Sequence, residues 1–193
     1  MFKFDINITD QDYSKFNAFN SEYSKYGKRT MKGLRIFLVV LFLLGAIGLV
    51  FRYGVTFVAL VALIPLIILF VLFIVFLKYF LRFFNGMAVK GLTKTGKKLY
   101  SPVSVMEFSE EYVVEITPDS EMKYKYSALD AAYFVRGEVV YIYINPQQAF
   151  IIPVDSFESQ EQWDRFLEFI NAKMEEVVVI EQKNIQRNDH IVF

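Results

Sequence analysis

The side chains able to do chemistry are few. His190 is the sole histidine among 193 residues and there is no cysteine, so a histidine triad or a histidine and cysteine zinc site would need the last few residues. Carboxylates are plentiful at Glu107, Glu110, Glu111, Glu115, Asp130 and Asp155. Most fall at turns or on the wet side of alternating stretches, where a solvated acidic face is expected. Residues 91–98 spell GLTKTGKK, one residue short of a phosphate-binding loop, because Lys98 stands where a Ser or Thr would meet magnesium. Such a loop follows a buried strand and opens a helix; this one follows a long apolar run, so it reads as a solvated basic connector. No catalytic, cofactor or metal site is expected, and the chain is not expected to be an enzyme.

The element that must position everything else is apolar. Residues 36–51 carry no charge, and neither do residues 55–77, of which nineteen are Leu, Ile, Val or Phe. At roughly 0.3 to 0.6 kcal/mol each, those nineteen favour insertion into a bilayer by very roughly 6 to 11 kcal/mol. Two transmembrane spans joined by Arg52, Tyr53 and Gly54 are therefore predicted, a helical hairpin over residues 34–82, with Pro65 producing a kink in the second. Lys25, Lys28, Arg29, Lys32 and Arg35 precede the first span and Lys78, Arg82, Lys90, Lys94, Lys97 and Lys98 follow the second, with Arg52 alone between them. That asymmetry predicts a multi-pass protein with both termini cytoplasmic. The glycosylation-type triplet at Asn7, Ile8 and Thr9 is then a chance match. Within the pair, Gly45 and Gly48 of one span and Ala59 and Ala62 of the other are expected to form the packing seam, since small residues let backbones approach in lipid.

The net charge of zero conceals a split. Residues 1–98 hold fourteen Lys and Arg against four acids, and residues 99–193 hold seven against seventeen. Lys90, Lys94, Lys97 and Lys98, in a basic connector over residues 83–100, are expected to contact anionic lipid headgroups, while the acidic distal part argues against nucleic acid. The missing cysteines fit a reducing compartment.

Around the spans the periodicity changes. Phe2, Phe4, Ile6 and Ile8 alternate with polar residues as in a strand, and Thr9 with Asp12 signals a helix carrying Phe16, Phe19, Tyr23 and Tyr26 on one stripe and ending at Gly27. Strands are expected at residues 103–108, 112–116, 122–126, 131–136, 139–144 and 149–153, as an antiparallel meander. Ser159 and Gln162 then cap a helix whose stripe is Trp163, Phe166, Leu167, Ile170 and Met174. Trp163 is expected in the core. Residues 177–180 would add a short strand, and within the tail over residues 177–193 the stretch from Lys183 to Asp189 is polar enough to be disordered.

This order, with Ile151, Ile152, Pro153 and Phe157 as an IIP-x-x-x-F segment ahead of the amphipathic helix, resembles the YcxB-like family of bacterial membrane proteins. The resemblance implies an α+β cytoplasmic domain over residues 101–176, a pleckstrin-homology-like antiparallel sheet capped by a C-terminal helix, in a protein of the bacterial cell membrane. It implies no activity. The expected function is a membrane-tethered interaction module with a protein partner or its own copy; the alternative is a protective, immunity-type protein recognised through its hairpin.

Overall fold

The computed structural model describes residues 1–54, 56–94 and 100–180. The chain divides into two units, residues 1–16 with 95–193 and residues 17–94. It opens with β1 (Phe2–Asn7), whose Phe4 and Ile6 are buried while Lys3, Asp5 and Asn7 are exposed, as the alternation predicts. Helix α1 (Asp10–Glu22) starts on a reciprocal cap. The Asp12 amide donates to Thr9 Oγ1 at 3.2 Å, and the Thr9 amide donates to Asp12 Oδ2 at 3.0 Å.

Gly27 does not end this helix. The chain turns at Ser24, the N-cap of α2 (Lys25–Tyr53), and Gly27 lies in the first turn of that new helix. Ser24 Oγ accepts from the Gly27 amide at 2.9 Å and donates to the Asn20 carbonyl at 2.6 Å. A Cβ at position 27 would lie 1.7 Å from the Asn20 carbonyl oxygen, so the glycine is required by backbone packed on backbone, not by helix termination.

Helix α2 is long and apolar enough to cross a membrane, with a mean hydropathy of 2.7 in its best window and none of that window buried. Gly54 then caps it at φ 66°. Helix α3 (Phe57–Lys94) runs through Pro65 and carries a shorter apolar segment, Leu63–Leu77. It continues through residues 83–94, so most of the expected basic connector is helical. Phe42 of α2 stacks on Phe70 of α3 at 4.2 Å. Among the described residues nothing lies within 4 Å of a Cβ at Gly45 or Gly48, and the side chains of Ala59 and Ala62, the other half of the expected seam, lie outside the described residues.

After the helices come β2 (Val103–Phe108), β3 (Tyr112–Ile116) and β4 (Glu121–Lys125), close to the predicted spans. Strand β1 joins them antiparallel on β2, giving a four-stranded sheet in the order β1-β2-β3-β4. The second sheet contains β5 (Ala131–Val135), β6 (Val139–Asn145) and β7 (Gln148–Pro153). Gly137, at φ 76°, supplies the left-handed residue that the three-residue β5 to β6 loop requires. Helix α4 (Gln160–Lys173) follows, with Ser159 Oγ accepting from the Gln162 amide at 3.2 Å. Strand β8 (Val177–Ile180) then pairs parallel to β5, so this sheet is mixed, in the order β7-β6-β5-β8, where a pure meander was expected.

The core sits where α4 meets both sheets. Phe166, fully buried, lies 5.0 Å from Phe4, 4.8 Å from Phe108 and 5.9 Å from Phe134. Trp163 packs edge-on to Phe134 at 5.6 Å and against Phe157 at 4.9 Å, which makes it a core residue. Phe157, from the IIP-x-x-x-F segment, also reaches Phe4 at 4.7 Å.

Candidate binding cleft

Strand pairing decides which side chains of the first sheet face inward. Phe4, Met106, Glu115 and Met122 form one cross-strand row, and Phe2, Phe108, Val113 and Tyr124 form the next. At the α4 end these rows are sealed: Phe4, Phe108 and Val113 are at most 1% exposed. Further along, the inner face opens into a cleft of about 670 Å³. Its walls come from β2, β3 and β4, from the β6 to β7 turn, and from α1 with the residues leading into β2.

Glu115 lies in that cleft. Its neighbours across the strands are Met106 and Met122, and Tyr124 stands one inward position away on β4. Burial raises the Glu115 carboxyl above the usual carboxylate range, while a hydrogen bond with Ser104 pulls the other way. Ser104 is itself buried, on the inward face of β2. On the opposite wall Phe150 of β7 meets Tyr124 edge-on at 5.6 Å. Tyr13 of α1 stacks on Tyr100 at 4.9 Å. The Tyr100 hydroxyl donates to Asp10, and burial, then that carboxylate, push its phenol up to about 12.

The other acids do not converge here. Glu107 pairs with Lys3 at 2.9 Å on the outer face of the sheet, and Glu110 pairs with Lys173. Glu111, Asp130 and Asp155 are exposed. Among the described residues no group of three His, Asp or Glu could hold a metal ion. Of the lysines expected at lipid headgroups, Lys90 and Lys94 are on α3 with side chains outside the described residues; Lys97, Lys98 and His190 also lie outside them.

Sequence reasoning counted Glu115 among six carboxylates of which most were expected at turns or on a wet face, and Glu115 is the one that strand pairing turns inward. In Tyr-Val-Val-Glu-Ile the set Tyr112, Val114 and Ile116 is the more apolar, yet it faces outward, while Val113 and Glu115 face inward. The signal that finds Glu115 is pairing, because Phe108 and Met106 opposite Val113 and Glu115 belong to the buried face of β2.

The domain is thus one antiparallel and one mixed four-stranded sheet with an amphipathic helix, and Glu115 is turned into the cleft. Residues 108–170 match the model of the YcxB-like protein family. That segment runs from the end of β2 through α4 and contains Glu115, Met122, Tyr124 and Phe150. No curated protein and no solved structure matches the chain.

Proposed function

We propose that this is a multi-pass protein of the bacterial cell membrane with both termini cytoplasmic, presenting a pleckstrin-homology-like domain that captures a ligand in its cleft. The observation carrying the reading is the pairing of β1 with β2. A chain that leaves a sheet at Asn7 and re-enters it at Val103 has crossed any intervening bilayer an even number of times. Helix α2, 29 residues and so about 43 Å long, suits one crossing and the apolar part of α3 the other. The basic residues before α2 and along the second half of α3 favour the cytoplasm for the domain. The cleft supplies the binding part: it falls within the size range of small-ligand sites, roughly 300 to 1,000 Å³, and its lining mixes aromatic and aliphatic side chains with polar ones.

Single cysteines test both halves, since the natural chain has none. Thr56→Cys should react with a membrane-impermeant maleimide in intact cells and Glu121→Cys after lysis; equal reaction from one side would remove the topology. In bilayer-reconstituted protein, a deproteinised cell extract should slow labelling of Met122→Cys in the cleft relative to Glu121→Cys outside it. Unchanged rates would remove the binding reading.

A further inference from the structure

Among the described residues the cleft carries charge of one sign. Its charged lining residues are Glu115 and Asp119, and among the described residues no Lys, Arg or His lines it. Glu115 therefore sits among apolar side chains with the Ser104 hydroxyl as a partner and, among the described residues, no cation on these walls to neutralise it. Around it are the surfaces that accept a cation bearing hydrocarbon. Two thioethers, Met106 and Met122, flank the carboxylate across neighbouring strands, and the rings of Tyr124 and Phe150 stand against each other beyond them. An anion would meet two carboxylates, and a neutral apolar ligand would leave Glu115 uncompensated and remove it further from water.

Resting on the reading of the cleft as a ligand site, we propose that it binds a small alkylammonium ion, with Glu115 as counter-ion and the Met106, Met122, Tyr124 and Phe150 surface as the bed for its hydrocarbon. The ammonium donates to the carboxylate, whose other contact is with Ser104. Binding should favour ionised Glu115.

The test uses full-length protein in phosphatidylglycerol nanodiscs, a lipid without an amine, with methyl-labelled methionine reporting on Met106 and Met122. Hexylammonium, hexanol and hexanoate are the probes, equal in chain length and differing in charge. Hexylammonium should shift both methyl signals saturably, with hexanol and hexanoate roughly tenfold weaker or more, the scale of one charged hydrogen bond. Glu115→Gln should weaken hexylammonium by roughly tenfold and leave hexanol unchanged. The exposed Asp119→Asn should change either by less than about twofold, as a peripheral charge would. An unchanged signal from the buried Met174 methyl at the end of α4 in the probe-free Glu115→Gln protein verifies its fold. Equal affinities for hexylammonium and hexanol, preference for hexanoate, or indifference to Glu115→Gln would each overturn the cation assignment while leaving the cleft as a binding site. If no probe of any charge perturbs the methyls, the ligand-site reading falls with it.

Discussion

The Lys3 ammonium lies 2.9 Å from the Glu107 carboxylate, although 104 positions separate the two residues. The pair is exposed on the lysine side and contributes at most about 1 kcal/mol. Its importance is as a register mark for β1 on β2, while the stabilisation comes from the opposite face, where Phe4 is 1% exposed among Phe108, Phe157 and Phe166. Phe4→Ala should lose about 3 to 5 kcal/mol of domain stability, and Lys3→Ala less than about 1 kcal/mol. Buried Trp163, the single tryptophan, reports unfolding of this unit by fluorescence in the detergent-solubilised chain. A Phe4→Ala melt superimposable on wild type would mean that β1 is not part of the domain.

Much of this domain was legible because period-two alternation and helix caps are local signals. The strands at Val103–Phe108 and Tyr112–Ile116 and the helix capped by Ser159 lie where the sequence predicts them. Partners were not legible. Alternation in Phe2–Asn7 announces a strand with one buried face, but it cannot say that the face is completed by a strand beyond two apolar helices. Val177–Ile180 reads as a strand, and its parallel seat on β5 depends on α4 carrying the chain back across the sheet. The inward place of Glu115 was not legible because both sets of residues on β3 contain apolar side chains, so composition alone does not pick the inner face.

At the corner between α1 and α2 the consequence is steric. Gly27→Ala drives a methyl into the Asn20 carbonyl, and backbone on both sides leaves no flexible group to yield. A loss of about 1 to 3 kcal/mol is expected, with faster amide exchange across residues 20–28. Gly33→Ala, six positions further on the same helix and with nothing among the described residues within 4 Å of its Cβ, should instead be neutral or stabilise by up to about 1 kcal/mol. Similar exchange in both variants would refute the corner's role.

Glu115 predicts a pH dependence of stability. Burial raises its carboxyl in the folded domain above its ordinary value of 4.5, against the opposing bond with Ser104. Between the unfolded and folded values the folded state holds the proton more tightly, so this group's contribution declines as pH rises through that window and stays reduced above it. Facing it are Ser104 and Met106 from β2, Met122 and Tyr124 from β4 and Phe150 from β7, with Asp119 as the other acid of the cleft. Glu115→Gln should flatten the melting temperature against pH from about 4.5 upward and raise it at neutral pH. A variant less stable than wild type at pH 7 would show that the ionised carboxylate is held by more than Ser104.

The helical pair makes the last prediction, and here the ring stack and the expected glycine seam differ in outcome. In lipid no hydrophobic force draws two apolar helices together, so association depends on the contacts that fit. Among the described residues Phe42 stacks on Phe70 at 4.2 Å and 16° between ring planes, and nothing lies within 4 Å of a Cβ at Gly45 or Gly48. An aromatic pair is worth about 0.5 to 1.5 kcal/mol beyond the area it covers. Phe42→Ala should therefore broaden the distance distribution between spin labels at Leu41→Cys and Leu69→Cys in reconstituted protein. Gly45→Ala and Gly48→Ala should leave that distribution unchanged where the ring stack sets the spacing, since among the described residues the added methyl meets no neighbour. Should Gly48→Ala broaden it as much as Phe42→Ala does, the small residues set the spacing after all and the ring stack merely follows from it.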